Sequence, residues 1–128
     1  MPLYLAARTK LMKGEIDLAG DDIKVQLLTS AYVYDVDHEF RDDITVGVIG
    51  VAVAMPGTEV VDGKLSITGS VTFPDVPALG VVSQCILFKD SGAPATSDLI
   101  GHVVAEMGVA ANNGDILLAW DDNIVIEL

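Results

Sequence analysis

Val81-Val82-Ser83-Gln84-Cys85-Ile86-Leu87-Phe88 runs into Lys89-Asp90-Ser91-Gly92-Ala93-Pro94, and Leu99-Ile100-Gly101-His102-Val103-Val104-Ala105-Glu106 follows. The first stretch is apolar nearly throughout, as a central strand covered on both faces requires. The second is rich in residues that reverse a chain. The third then returns as the antiparallel partner, so a central hairpin is expected over residues 81–106.

The rest of the chain reads outward from this hairpin. Ile23, Val25 and Leu27 alternate with Lys24 and Gln26, the period of two of a half-buried strand. Val46 to Ala54 is small and apolar but holds Gly47 and Gly50, so it can be a strand only if bent or bulged at the glycines. Val60-Val61, Asp62-Gly63 and Lys64 to Ile67 form a hairpin signature, because Asp-Gly accepts the positive φ angles of a two-residue I′ turn. Val71-Thr72-Phe73 precedes a Pro74-Asp75-Val76-Pro77 corner. Asn112-Asn113-Gly114-Asp115 turns into Ile116 to Trp120, and Asp121-Asp122-Asn123 turns again into Ile124-Val125-Ile126.

Ahead of these strands, residues 1–14 predict a helix or an extended arm. Pro2 suits the first turn of a helix running to about Lys13, with Leu3, Ala6, Ala7, Lys10 and Leu11 spaced for one face and Gly14 as the stop. Tyr4 and Leu5 also fit a strand, and either form could lie on a neighbouring subunit. The expectation is one β-rich domain over residues 1–128, mainly β, an antiparallel sandwich or barrel with one short N-terminal helix.

Composition bounds the function. Of the 128 residues 51% are hydrophobic, enough to offset the ordering entropy of a single core. Seven Lys and Arg face 19 Asp and Glu, a net charge of −12 that repels phosphate and disfavours nucleic acid and anionic membranes. No apolar run nears the roughly 18 residues that span a bilayer. The N-terminus carries no secretion signal, so synthesis in the cytoplasm is expected. Cys85 is the only cysteine and sits in an apolar segment, where a buried, inert thiol is expected.

Catalysis would draw on His38 and His102 alone. His102 lies in a strand pattern, where a solvent-facing or subunit-facing position is expected in preference to a general base. Gly47-Val48-Ile49-Gly50 lacks the Lys-Ser/Thr sequel of a phosphate loop. Asp35, Asp37, Glu39, Asp42 and Asp43 crowd one loop, but without EF-hand spacing, and solvated charge is preferred to a structural calcium. No enzyme, metal or cofactor is therefore expected. Tyr32, Tyr34 and Phe40 fall in the same irregular stretch, Thr29 to Ile44. With Tyr4 and His38 they are the candidate interface residues, the competing possibility being a satellite core beneath the loop.

The order of the segments resembles a family of small tailed-phage virion structural proteins. The matching pieces are Lys13-Gly14-Glu15-Ile16-Asp17-Leu18, Asp22 to Leu28, Tyr34 to Ile44 with His38-Glu39-Phe40 and Asp43-Ile44, Phe88-Lys89-Asp90-Ser91-Gly92, Ala95 to Gly101, Asn113-Gly114-Asp115-Ile116 and Trp120-Asp121. Thr45 to Ala54 departs from the pattern in being more apolar. The resemblance implies a capsid decoration or cement protein on the outer face of the head, bound to the major capsid protein, bridging capsomers and homo-oligomeric with a trimer favoured. A tail or neck component is the alternative it leaves open. A carbohydrate-binding β-sandwich for host adhesion is a further class, which would need exposed Trp or Tyr platforms, whereas Trp120 reads as core.

Overall fold

The computed structural model describes residues 1–127; at Ala105, Glu106 and Met107 it describes the backbone alone. The described residues are mainly β, with antiparallel sheets and one α-helix. The strands are β1 (Ile23–Thr29), β2 (Val48–Ala54), β3 (Glu59–Val61), β4 (Lys64–Ser66), β5 (Val71–Phe73), β6 (Val81–Lys89), β7 (Asp98–Ala110), β8 (Ile116–Leu118) and β9 (Ile124–Glu127). They form a four-stranded sheet ordered β2-β1-β6-β7, a three-stranded sheet β3-β4-β9 and a pair β5-β8.

The expected central hairpin is β6 and β7, paired from Lys89↔Asp98 outward. Gln84 to Phe88 are all buried, so the continuous apolar run does lie in a strand covered on both faces. Asp62 and Gly63 both adopt positive φ, 53° and 73°, between β3 and β4, as the Asp-Gly turn demands. Asp122 and Asn123 take left-handed angles ahead of β9, which short polar side chains tolerate.

Two segments differ from expectation in an informative way. The alternation in β1 predicts that Gln26 faces water, yet Gln26 is buried, because β1 is flanked by β2 and β6 and covered on both faces. Between the Val25↔Val53 and Leu27↔Ile49 pairs, β2 carries extra residues around Gly50, whose φ is +74°. This is the bulge the glycines foreshadow. The Gln26 Nε2 donates to the Ile49 carbonyl at 3.0 Å and the Gly50 carbonyl at 3.2 Å, so a side-chain amide replaces the ladder that the bulge interrupts.

At the N-terminus both forms occur in succession. Residues 2–4 are extended along the outer edge of β7, with His102 N–H donating to the Pro2 carbonyl, Tyr4 N–H donating to the Ile100 carbonyl and Leu3 bridging Gly101. The helix, α1 (Leu5–Met12), starts three residues later than Pro2 suggests. It has no side-chain N-cap, and its anchors are tertiary: buried Ala7, Leu5 N–H donating to the Val36 carbonyl, and Lys10 Nζ 2.6 Å from Asp98 Oδ1. The arm thus lies on its own chain's sheet edge, which makes it part of the fold.

Replacing Gln26 by Leu keeps the side chain's bulk but strips the bulge carbonyls of their donor. Leaving such groups unsatisfied costs on the order of 1–3 kcal/mol, so urea titration of Gln26→Leu is expected to show a lower midpoint with an unchanged m-value, the product of the two reporting a loss of that size.

Candidate functional site

The stretch between β1 and β2, Ser30 to Gly47, contains no strand and only a 3₁₀ turn at Arg41–Asp43. Its course follows from local polar chemistry. Asp35 Oδ1 accepts the Asp37 N–H at 2.9 Å, and Asp43 Oδ2 accepts the N–H groups of Glu39 and Phe40 at 2.8 and 2.9 Å. Those two backbone donors hold the Asp43 carboxyl below the usual carboxylate range. Farther along, Leu99 N–H donates to the Glu39 carbonyl and Arg41 N–H to the Ser97 carbonyl, stitching the loop to the start of β7.

Four of the five candidate interface residues, Tyr4, Tyr32, Tyr34 and His38, meet beneath this loop. Tyr4 is wholly buried and Tyr32 is 4% exposed, whereas Tyr34, His38 and Phe40 are half-buried. The Tyr4 and Tyr32 hydroxyls are 2.8 Å apart, and the Tyr32 hydroxyl lies 3.0 Å from His38 Nδ1. Tyr34 packs tilted on Tyr4 at 5.1 Å between ring centroids and stacks on the His102 imidazole at 4.7 Å. Phe40 stands apart from this cluster, covered by the Lys10 ammonium 4.5 Å from its ring centre. Within a single chain these aromatics therefore serve as the packing layer between loop, helix and sheet. The side chains the loop exposes include Val33, Val36, Val46, Asp37 and Asp42, with Asp35 and Asp43 at the surface but bonded back to the loop's own backbone.

His102 corrects the expectation of an outward-facing strand residue, for it is 4% exposed. Its Nε2 is 2.6 Å from Gln84 Oε1, while Gln84 Nε2 donates to the carbonyls of Thr29 at 2.8 Å and Tyr32 at 2.9 Å. Two carbonyl partners fix the orientation of the amide, so its oxygen must accept and His102 Nε2 must carry the proton. Sequence reasoning missed both Gln84 and His102 as organisers of the loop. The one available signal was a polar pair, Gln84 and His102, set within otherwise apolar strands.

Chemically the cluster is a chain of hydrogen bonds from Tyr4 through Tyr32 to His38. His38 does stand beside a hydroxyl, and its Nε2 is 4.0 Å from Asp35 Oδ2. Burial raises the pKa of both Tyr4 and Tyr32, so neither phenol is activated as a nucleophile. The Cys85 thiol is pushed up to about 12 by burial, which suits an inert core residue. Among the described residues no three His, Cys, Asp or Glu side chains gather as a metal-ligand set. Trp120 is half-buried and packs against the core.

No protein-family model, curated protein or solved structure matches the chain.

Burial holds the His102 pKa below that of an exposed imidazole. The unfolded chain takes up this proton near pH 6.5 (about the ordinary value), the folded chain only at lower pH. The unfolded state therefore binds more protons below that pH, and the contribution of neutral His102 is complete above it and lost as pH falls through the folded value. Urea midpoints are expected to fall between pH 7 and pH 5, and to fall less steeply in His102→Gln, which can still donate to Gln84 but does not titrate.

Proposed function

We propose that the protein is a structural subunit of a phage particle that decorates the outer face of the head and cements it by bridging copies of the major capsid protein, working as a homo-oligomer, with a trimer favoured, and not as an enzyme. The observation that carries this is the kind of surface the fold presents. All three residues of β3, an edge strand, are exposed, including Val60 and Val61, and Val48 and Val51 are exposed on β2, an edge of the main sheet. On β7, at the other edge, Val104 and Val109 are exposed beyond the stretch that the loop and the N-terminal arm cover. Free edges bearing exposed valines are templates for pairing with another chain, and the surrounding negative charge keeps such a surface soluble until it docks.

Further support comes from the resemblance of the ordered segments to those of the virion family. The inward-facing tyrosines and the packed Trp120 weaken the carbohydrate-binding alternative, since sugar platforms need exposed rings.

Purified heads lacking the protein should bind it in hundreds of copies and resist heating better once it is added, as read by genome release on a temperature ramp. Equal heat resistance with and without it would remove the cement reading, and recovery of only a ring's worth of copies per particle would move the protein to the tail or neck.

A further inference from the structure

Basic groups are scarce in this chain, and most are committed. Lys10 pairs with Asp98 and Glu39, Lys24 with Asp90, Lys64 with Glu127 and Lys89 with Asp21. Arg41 is the exception that is also half-buried. Its guanidinium lies 5.9 Å from the Phe88 ring centre and has no ion pair among the described residues. Burial alone depresses its pKa, with no carboxylate acting in the opposite sense.

We propose that the cleft beside Arg41 is a binding site for a carboxylate. The cleft holds about 250 Å³ and is walled by Lys24, Gln26, Phe88, Asp90 and Ser97. That space suits one carboxylate on a short stem better than a large ligand. The carboxylate already in the wall is spoken for: Asp90 Oδ2 is 2.6 Å from Lys24 Nζ and its Oδ1 accepts the Gly92 N–H at 3.0 Å. Asp43, two residues from Arg41, is turned toward the Glu39 and Phe40 amides, and Asp42 is exposed.

The site is also preorganised. Arg41 N–H donates to the Ser97 carbonyl at 2.9 Å and its own carbonyl accepts the Ile44 N–H at 3.2 Å, so the backbone beneath the guanidinium is fixed from both sides. A planar fork of donors held over an aromatic ring matches a carboxylate in two-point geometry. A partly desolvated cation without a counter-charge is costly, and an incoming carboxylate relieves that cost. The carboxylate can be a free small acid or an Asp or Glu side chain of a second copy, of which each chain has a large surplus.

The chain contains only two arginines, Arg8 and Arg41, so their Nε–Hε signals in a ¹⁵N-labelled sample of the whole protein are assigned with one variant, Arg41→Lys. Titration with succinate at low protein concentration is expected to move the Arg41 signal saturably while Arg8 stays still, with dimethyl succinate inert. If the natural carboxylate belongs to a second copy, raising the protein concentration without succinate moves the same signal, in step with a rise in sedimentation coefficient that succinate reverses. In Arg41→Gln, succinate binding or self-association, whichever is seen, is expected to weaken about tenfold or more, the usual worth of a charge-assisted bond. Arg41→Lys should keep part of it. An Arg41 signal that stays put in both titrations, or one that moves no more than Arg8, overturns the proposal, as does unchanged binding in Arg41→Gln. None of these measurements involves capsids, so the outcome is independent of the virion assignment.

Discussion

The side-chain amide of Gln84 is the contact on which the arrangement around the long loop depends. It projects from β6, the inner strand of the central hairpin, and closes three elements at once: the end of β1 and the start of the loop through the carbonyls of Thr29 and Tyr32, and β7 through the imidazole of His102. The register between β1 and β6 shifts after Leu28, and the register between β6 and β7 shifts between Val82 and Gln84. The amide therefore sits where both neighbouring ladders are interrupted. In a buried setting each of these groups would be expensive to leave unpaired, and satisfying them together selects one course for the loop. Gln26 plays the equivalent part on the other side of β1, at the bulge of β2.

Once the loop is held this way, the division of its side chains follows. Tyr32 is drawn under the loop by its neighbours and meets Tyr4 from the N-terminal arm, Tyr34 lands on the His102 ring, and Ile44 returns to the core. Asp35 and Asp43 turn back on their own backbone, which shapes the loop. What remains outside is carboxylate and valine. An acidic surface with free strand edges can bind another protein chain without attracting nucleic acid, and this is the physical basis of the proposal that the protein is a shell component. The half-buried Arg41, on the same loop, adds a cation to a surface otherwise short of them.

The strands were legible because their signals are local. Asp62-Gly63 has one comfortable geometry between two short apolar runs, and the run ending in Phe88 has no polar face to expose. Gly50 announced the bulge because a left-handed residue inside a strand interrupts pairing wherever it falls. The start of α1 was misplaced for the opposite reason: Pro2 is compatible with a helix, but its carbonyl is taken by His102, a residue a hundred positions away, and that bond holds residues 2–4 extended. Alternation predicts a water-facing Gln26, and a strand position predicts a solvent-facing or subunit-facing His102; both expectations presume that a polar side chain seeks water. Each instead found carbonyl or amide partners inside the sheet.

The amino-acid sequence by itself thus determined the β-rich class, the turns, the bulge, the inert thiol and the negative surface, since each is set by neighbouring residues or by composition. Tertiary structure alone decided the strand order, the path of the arm along β7, the inward turn of Tyr4 and Tyr32 and the half-burial of Arg41 without an ion pair among the described residues. Those features arise from hydrogen bonds and packing between residues far apart in the chain, and no local pattern encodes which distant carbonyl a buried amide will find.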